Sequence, residues 1–254
     1  MDQERLRDNL GMGAGIALFC EESVDSTNLR AKAWARGGGR LPAVFTAEQQ
    51  SMGRGRLGRS FESQRGGLYL SLALVCPALE AGSLTTLAAV SALRAADSLG
   101  IPQLQVKWVN DLMQHGKKVG GILAEGIAFE NGLIAQVVIG IGINTGRVRF
   151  APGLAEKAAA LDWGGVKPDR EKLAALIVSG ILSGLAGIPG HLPFYRSRCL
   201  TLGREVCFAQ NEKTMTGRAV GIRDDGSLIV QTPTGEIVLS TGEVSVRSPD
   251  GGYL

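Results

Sequence analysis

The sequence contains few of the residues that build metal centres or disulfide frameworks. Its 254 residues include two histidines and four cysteines. The cysteines lie far apart and form no CxxC pair: Cys20, Cys76, Cys199 and Cys207. This spacing argues against a zinc site and favours buried, free thiols in a reducing compartment. We expect His115 and His191 to be surface or helix-end residues rather than catalysts.

Long apolar segments are also missing. No uncharged apolar run approaches the roughly 20 residues that a membrane span needs. The first ten residues, MDQERLRDNL, are charged and do not resemble a signal peptide. We therefore expect a cytoplasmic protein without a membrane partner.

Neither sign of charge dominates. The chain has 27 lysines and arginines against 24 acidic residues, a net charge of +3. This balance is too even to predict a nucleic-acid partner from composition, so any anion site has to be local. Glycine is abundant at 36 residues and has no three-residue period, which excludes a collagen-like structure and predicts tight turns.

The pattern of apolar residues predicts an α+β domain around one mixed sheet. Predicted strands cover residues 15–22, 43–49, 68–76, 104–108, 118–129 and 133–144. Predicted helices run from a cap within 25–28 to about 36, from 83 to 99, and onwards from 168. The run LYLSLALVC at 68–76 is almost wholly apolar, as in a strand that is covered on both faces. The helices are too few for repeated βαβ units.

The pattern changes after about residue 198. Five short strands follow, separated by turns rich in Asn, Asp, Pro and Gly: 204–210, 213–223, 227–232, 235–240 and 242–247. So many short strands in so few residues predict a small β-barrel, SH3-like in type. The predicted domains are residues 1–198 and 199–254.

The most unusual stretch is SMGRGRLGRSFESQRGG, residues 51–67, which we name the arginine loop. It alternates three glycines with three arginines: Gly53, Arg54, Gly55, Arg56, Gly58 and Arg59. A glycine-rich loop tends to stay mobile until a ligand orders it, because ordering glycine costs backbone entropy. Arginine offers planar, bidentate donors that suit carboxylate and phosphate groups.

Three interpretations of the arginine loop remain open on its own residues: a solvated hairpin tip, a nucleic-acid surface, and a carboxylate or phosphate site. Phe61 is its one aromatic residue, so nucleic-acid bases would have little to stack on. The stretch GKKVGG at 116–121 is no Walker phosphate loop, because valine follows its lysines and a strand follows the valine. A dinucleotide fingerprint is excluded because no helix follows the loop glycines.

Three further clusters accompany the arginine loop. KWVND (107–111) ends a strand with a cation, an indole, an amide and a carboxylate, and KKVGGILAE (117–125) places lysines at the entry to a buried strand. IGIGIN (139–144) ends a strand in small residues and an amide. Each is ambiguous alone, since KWVND would equally suit a capped strand end with Trp108 in the core. Their order and spacing are more informative than any one of them.

In this order and spacing, the segments resemble the biotin protein ligases. The resemblance rests on DSTN (25–28), EQQSMGRGRLGRSF (48–61), KWVND (107–111), KKVGGILAE (117–125), VVIGIGIN (137–144) and GIRDDGSLIV (221–230). It covers nearly the whole chain. It implies an α+β catalytic domain of the biotin/lipoate ligase type, which is similar to class II aminoacyl-tRNA synthetases, followed by an SH3-like barrel.

Members of this family join the carboxylate of biotin to the α-phosphate of ATP, which yields biotinyl-5′-AMP and pyrophosphate. They then transfer biotin to a lysine of a carboxyl carrier protein. The resemblance therefore implies ATP, biotin and Mg²⁺ as ligands and a biotin carboxyl carrier protein as partner. Bringing a carboxylate against a polyphosphate requires fixed cations and Mg²⁺. Many relatives pair through the sheet beside the loop, so a homodimer is a further expectation.

The resemblance also assigns the site residues. Lys118, Arg54 and Arg56 match the groups that hold the biotin carboxylate and the reacting phosphate, and Asp111 completes the expected catalytic group. The expected biotin-binding residues are Ser26, Thr27, Asn28, Gln50, Gly53, Arg54, Gly55, Arg56, Lys118, Gly121 and Gly140. The expected ATP-binding residues are Arg56, Arg59, Phe61, Lys107, Asn110, Lys118 and Asn144.

The resemblance also implies a physical role for some of these residues. The residues at 26–28 and Gln50 would pair with the polar ureido head of biotin. Gly121 and Gly140 would let the backbone approach the ligand, and Asn144 would face the adenylate. No residue is assigned as a metal ligand, although oxygen donors at 110–111 would suit the organisation of Mg²⁺ or of the lysine at 118.

Three positions depart from the family pattern. Val109 stands where proline is usual, Phe61 stands where many members have tryptophan, and Met52 replaces a small residue. Some relatives carry a DNA-binding domain and act as repressors, but here the catalytic pattern begins by about residue 15. An independent domain needs on the order of 50 residues, so we expect no DNA partner. The alternatives are a lipoate ligase, an inactive biotin sensor and a non-catalytic nucleic-acid-binding module.

Overall fold

The computed structural model describes residues 1–11, 15–146, 150, 152–210 and 213–240. Its helices are α1 (Gln3–Leu10), α2 (Thr27–Arg36), α3 (Ala81–Ser98), α4 (Pro152–Ala155), α5 (Arg170–Gly184) and α6 (Leu192–Ser197). Its strands are β1 (Ala17–Val24), β2 (Ala43–Gln50), β3 (Leu68–Leu79), β4 (Gln105–Lys107), β5 (Asp111–Gln114), β6 (Lys117–Glu130), β7 (Leu133–Ile143), β8 (Glu205–Gln210), β9 (Lys213–Ile222), β10 (Leu228–Thr232) and β11 (Gly235–Leu239). Within these ranges, no helix combines the length and the apolar character that a membrane crossing requires.

The first seven strands form one mixed sheet in the order β1-β2-β3-β7-β6-β5-β4. β1 and β2 run parallel, and the other neighbouring pairs run antiparallel. The predicted α+β architecture around a mixed sheet is therefore confirmed. The turn between β6 and β7 places Asn131 and Gly132 at φ values of 50° and 81°, as a two-residue hairpin turn of this kind requires.

The main hydrophobic core lies on one face of this sheet. Alternate residues of a strand point to opposite faces, and Leu70, Leu72 and Leu74 of β3 all point into this core. α3 and α5 cover the same face. Because α3 contacts β6 and β7 as well as α5 and α6, it is buried on nearly all sides, which accounts for its alanine- and leucine-rich sequence.

The opposite face of the sheet is covered by α2. Ala31 of this helix packs in a smaller cluster with Phe45, Ala73 and Val138 of the sheet. The small residues on both sides allow the helix to lie close to the strands. This close approach brings the polar first turn of α2 down onto the sheet.

The ends of α2 lie close to the residues that the sequence predicts. The carboxylate of Asp25 accepts a hydrogen bond from the Ser26 N–H (2.7 Å), just before the helix begins. The N-cap of the helix is Ser26, whose side chain forms no capping hydrogen bond, and Gly37 is the C-cap, so the predicted start within 25–28 and end at about 36 are confirmed as positions. Its first turn lies over β3, where the Ser71 hydroxyl donates to side chains of α2.

The C-terminal residues form a second, antiparallel sheet in the order β11-β10-β9-β8. These are four of the five strands predicted for this part, and the fifth, at 242–247, lies outside the described residues. Cys199 still pairs with Val106 of β4, and β8 begins at Glu205. The predicted boundary between residues 198 and 199 stays a prediction.

The second sheet docks beside the strand end that follows β4. The Trp108 indole N–H donates to the Gly226 carbonyl oxygen (2.9 Å), and the Trp108 backbone N–H donates to Thr201 Oγ1 (2.9 Å). From α6, the Arg196 guanidinium donates to the Ile222 carbonyl oxygen (2.6 Å). Hydrogen bonds thus hold the two sheets in a defined relative position.

Some elements differ from the sequence prediction. α1 was not predicted; Asp2 caps it, and its Leu6 and Leu10 are buried. β5 was not predicted either; its residues form a strand because they pair with β4 and β6. All four cysteines are free, and Cys76 and Cys199 are buried as expected, whereas the other two are partly exposed.

Candidate active site

A cavity of about 240 Å³ lies on the α2 face of the sheet, between the arginine loop and the middle of β6 and β7. All of the predicted site residues except Gly53 and Asn144 line it: Ser26, Thr27, Asn28, Gln50, Arg54, Gly55, Arg56, Arg59, Phe61, Lys107, Asn110, Asp111, Lys118, Gly121 and Gly140. Segments that are far apart in the chain therefore meet in one place.

One end of the cavity is a network of neutral polar side chains. The Thr27 N–H and hydroxyl both donate to Gln50 Oε1 (2.8 and 3.1 Å). The Ser71 hydroxyl lies 2.7 Å from Thr27 Oγ1 and 2.6 Å from Asn28 Oδ1, and Gln50 Nε2 donates to Ser63 Oγ (2.8 Å). These bonds fix which donors and acceptors remain directed at a ligand.

Glycines in β7 let side chains lie flat on the sheet. A Cβ at Gly140 would stand 2.1 Å from Asn28 Oδ1, and a Cβ at Gly142 would stand 2.6 Å from the Phe61 ring. The Phe61 ring also packs edge-to-face with Tyr69, with ring centroids 6.4 Å apart. The nearest group to position 140 is thus a side chain of α2, while the predicted approach of a ligand to this backbone stays a prediction.

The arginine loop is an irregular hairpin. The Phe61 N–H donates to the Gly53 carbonyl oxygen (2.9 Å), and the Gly55 N–H donates to the Arg59 carbonyl oxygen (2.7 Å). Gly58 has φ 71°. Gly53 is enclosed by the hairpin, since a Cβ there would stand 2.2 Å from the Phe61 carbonyl oxygen. Gly53 therefore shapes the loop and does not line the cavity.

Arg56 extends from the loop to the opposite wall of the cavity. Its guanidinium donates to Asn110 Oδ1 (3.2 Å), and Asn110 Nδ2 donates to the Ile122 carbonyl oxygen (2.9 Å). Burial lowers the pKa of Arg56, and the charge of the nearby Asp111 opposes this effect. Since arginine stays protonated in proteins, the cavity has a fixed positive charge at this point.

A second fixed charge comes from Lys118, whose ammonium group forms an ion pair with Asp111. A Cβ at Gly121 would stand 3.4 Å from Lys118 Nζ, an ordinary van der Waals contact, so the ammonium group lies directly beside this glycine. The Lys118 N–H donates to the Lys157 carbonyl oxygen (2.9 Å), and Lys157 also lines the cavity. Lys157 was not predicted from the sequence, because it lies in a loop that comes next to β6 only in the folded chain.

Glu125 is another residue that the sequence analysis missed. Its carboxylate accepts hydrogen bonds from Asn28 Nδ2 (2.8 Å) and Lys32 Nζ (2.5 Å), and Arg54 lies 3.8 Å away. Burial alone would raise the pKa of Glu125, but hydrogen bonds from Lys32 and Asn28 outweigh it and lower this pKa. The period-two alternation of β6 from Gly121 onwards was a signal that could have placed Glu125 on the cavity face.

Asn144 lies behind the cavity, at the end of β7. Its N–H donates to the Val119 carbonyl oxygen (2.8 Å), and its Nδ2 donates to the Ala159 carbonyl oxygen (3.2 Å). Its Oδ1 is buried and has no hydrogen-bond partner among the described residues. Its predicted role beside the adenylate stays a prediction.

The strand end that contains Lys107 forms the remaining wall. Lys107 and Trp108 are both buried and both line the cavity. The Trp108–Val109 peptide bond is cis, at the position where the family usually has proline. The buried Tyr195 hydroxyl donates to the Val109 carbonyl oxygen (3.0 Å), and burial raises the pKa of Tyr195.

Neither histidine lines the cavity. His115 is exposed and lies 3.2 Å from the Asp162 carboxylate. His191 precedes α6 and is buried, with its Nε2 atom 2.8 Å from the Thr86 hydroxyl. Burial and the positive charges of Arg94 and Arg196 lower the pKa of His191 to about 4.

Two family models match the chain. Residues 22–144 match the biotin/lipoate A/B protein ligase family, and residues 201–247 match the biotin protein ligase C-terminal domain. The first match includes all of the residues that line the cavity except Lys157. The second begins close to the boundary predicted at residue 199.

Individual relatives are similar over most of the chain. The biotin–[acetyl-CoA-carboxylase] ligase of Mycobacterium tuberculosis is 31% identical, covering 96% of this chain and 95% of the relative. The bifunctional ligase/repressor of Bacillus subtilis is 31% identical, covering 87% of this chain and 71% of the relative. The solved biotin protein ligase of Aquifex aeolicus, in complex with biotin and ATP, is 30% identical with a TM-score of 0.75, covering 91% of this chain and 99% of that chain.

Proposed function

Because the chain belongs to the biotin protein ligase family, we propose that it activates biotin with ATP as biotinyl-5′-AMP and transfers the biotin to a lysine of a biotin carboxyl carrier protein. The proposal rests on one observation. A neutral hydrogen-bonding network and a set of fixed cations occupy the two ends of the same cavity. A ligand with a polar, uncharged head and a carboxylate tail would meet a suitable partner at each end.

The neutral end suits the ureido group of biotin. This head group has two N–H donors and one carbonyl acceptor, and leaving any of them unpaired in a buried site is costly. Thr27 and Asn28 hold their polar atoms in place through Gln50 and Ser71. A fixed network of this kind would discriminate between biotin and the apolar dithiolane ring of lipoate, which is the other ligand class of the family.

The charged end suits the adenylation step. An oxygen of the biotin carboxylate attacks the α-phosphorus of ATP, the bond to the β-phosphate oxygen breaks, and pyrophosphate leaves with the electron pair. Two anions must approach each other, so their repulsion is a large part of the barrier. Arg56 and Lys118 would offset this repulsion, because Asn110 and Asp111 hold their cationic groups in place before the substrates arrive.

The donor set at this end also fits Mg²⁺. When bound, this ion would neutralise charge on the ATP phosphates, and it usually takes one or two protein carboxylates together with phosphate oxygens and water. Asp111 supplies one carboxylate in the cavity. Within the described ranges, no three His, Cys, Asp or Glu side chains form a metal cluster, so substrate phosphates would supply further ligands.

In the second step, the amine of the acceptor lysine attacks the acyl carbon of the mixed anhydride, and AMP leaves. The anhydride hydrolyses readily, so it has to be shielded from water between the two steps. We infer that the arginine loop provides this cover, since Phe61 and Arg56 extend from it onto the floor and the opposite wall of the cavity. Cytoplasmic residence, a homodimer and the absence of a DNA partner remain predictions.

The test is incubation of the protein with biotin, Mg-ATP and a purified carrier domain. We expect mass spectrometry to find one biotinyl group on one lysine of the carrier domain, and none when ATP is omitted. The same reaction with lipoate is the comparison. Lipoylation in place of biotinylation would overturn the proposal in favour of a lipoate ligase, and modification of neither kind would overturn it altogether.

A further inference from the structure

Glu125, on the sheet beside the cavity, is shared by two cations. Lys32 Nζ and Arg54 lie 2.5 and 3.8 Å from the same oxygen, Oε1, while Asn28 donates to Oε2. We propose that Lys32 is a positioning residue, which neutralises Glu125 and thereby leaves Arg54 free to bind the carboxylate of the substrate. This inference rests on the proposed function.

The fold determines which groups reach Glu125. Asn28 and Lys32 lie one turn apart on α2, so both point to the same side of the helix. Glu125 lies on β6 opposite Val138, which packs against α2. The helix therefore places an amide and an ammonium group on a single carboxylate, one on each oxygen.

The carboxylate of Glu125 needs a positive neighbour. Its side chain is 17% exposed, and a carboxylate that is largely withdrawn from water is costly unless it is paired. Hydrogen bonds from Lys32 and Asn28 and the charges of Lys32 and Arg54 keep the pKa of Glu125 below its usual range, although burial acts in the opposite direction. The group is therefore ionised at neutral pH.

The two cations are held differently. Lys32 is 15% exposed and at hydrogen-bond distance, whereas Arg54 is 45% exposed and beyond it. Arg54 therefore has only a weak, solvent-screened attraction to Glu125. If Lys32 lost its charge, Arg54 would be the remaining cation within 4 Å of Glu125 among the described residues. Arg54 would then be drawn to Glu125, and the carboxylate of Glu125 would compete with the carboxylate of the substrate for Arg54.

The test compares biotin with its methyl ester, which lacks the carboxylate charge, by isothermal titration calorimetry. We expect Lys32→Met to weaken biotin binding by roughly three- to fivefold, the size of one solvent-screened ion pair, and to leave ester binding unchanged. The double variant Lys32→Met/Glu125→Gln should restore biotin binding, because no uncompensated carboxylate remains. Arg36→Met removes an exposed cation from the same helix and is the matched control.

Two further variants keep the test informative if Lys32→Met does not fold. Lys32→Arg should bind biotin as the wild type does, and Lys32→Gln should reproduce the loss. The inference would be overturned if Lys32→Met lost affinity equally for biotin and the ester, or lost affinity for neither. It would also be overturned if the double variant did not recover its affinity for biotin. A wild-type protein that binds no biotin would overturn the proposed function as well, so the two failures are distinguishable.

Discussion

Two of the cationic side chains that line the cavity are held in place by neighbouring groups of the protein. Lys118 is held by Asp111 and Arg56 by Asn110. Long cationic side chains lose rotamer entropy when they bind a ligand, and groups already held in place lose less. Single substitutions in these pairs should therefore affect the reaction far more than the fold.

Replacing Lys118 by alanine removes the cation that forms an ion pair with Asp111. We expect Lys118→Ala to slow biotin-dependent exchange of pyrophosphate into ATP by about 10²–10³-fold, the effect of removing one fixed charge from a reacting centre. The circular dichroism spectrum and melting temperature should stay close to those of the wild type. Lys117→Ala is the matched control, because Lys117 is exposed and its ammonium group donates to the Ala155 carbonyl oxygen (3.1 Å), away from Asp111. Normal exchange by Lys118→Ala would contradict the role of this lysine.

Gly140→Ala tests the close approach of α2 to β7. The added methyl group would stand 2.1 Å from Asn28 Oδ1, and relieving such overpacking costs about 1–3 kcal/mol. We expect Asn28 to move and biotin affinity to fall by roughly tenfold, measured by titration calorimetry. Gly187→Ala is the control, since a Cβ there meets nothing within 4 Å. Unchanged affinity in Gly140→Ala would mean that Asn28 does not contribute to biotin binding.

The two ends of β6 and β7 have different roles. At one end, β6 and β7 have glycines where the Phe61 ring and the side chains of α2 lie on the strands. At the opposite end, a tight hairpin turn joins the two strands. The register of this hairpin determines which residues face the cavity, since a one-residue slip would turn every side chain to the other face. A substitution in the hairpin turn should therefore change the stability of the fold without changing the affinity for the ligands.

Gly132→Val examines this turn. A branched residue at φ 81° is strained, at a cost of about 1–2 kcal/mol, which corresponds to a fall in melting temperature of roughly 2–8 °C for a chain of this size. Biotin affinity should not change, because the turn lies at the opposite end of β6 from Gly121. A lower affinity at temperatures where the variant is fully folded would contradict this separation.

α6 and the residues before it connect the main core to the second sheet. Arg196 of α6 donates to the Ile222 carbonyl oxygen, and His191, just before α6, contacts Thr86 of α3. His191 is 6% exposed, and burial together with Arg94 and Arg196 lowers its pKa to about 4. The neutral form of this imidazole is therefore part of the folded state.

His191 should make stability depend on pH. Its pKa is lower in the folded chain than in the unfolded chain, so its contribution is complete above pH 6.5 and is lost as the pH falls towards 4. The loss is on the order of 3 kcal/mol over this range. The free energy of unfolding, measured with urea for the wild type and for His191→Gln, should decrease less in the variant as the pH falls from 6.5 to 4. Parallel pH profiles for the two proteins would exclude this role.

Much of the site was predictable because it is encoded in short motifs. The glycines and arginines of 53–59, the polar residues of 25–28 and the lysine at 118 each have a local pattern. The cavity is lined by the three arginines and Gly55 of the first group, by residues 26–28 and by Lys118. Glu125 was missed although it lies within a quoted motif, because no charge partner for it is visible in the sequence. Lys32, its partner, lies on a different element.

By itself, the sequence determined most of the strands and helices, the positions where α2 starts and ends, the hairpin turn at 131–132 and the family of the chain. These follow from hydrophobic periodicity, from residues that tolerate particular backbone angles and from motif spacing, all of which are local properties. Three contacts were decided by the tertiary structure alone. The Asn28 side chain lies against Gly140, and the Lys118 N–H donates to the Lys157 carbonyl oxygen. The carboxylate of Glu125 is shared by cations from α2 and the arginine loop. Such contacts depend on distances between segments remote in the chain, which strand order and register set only once the sheet has formed.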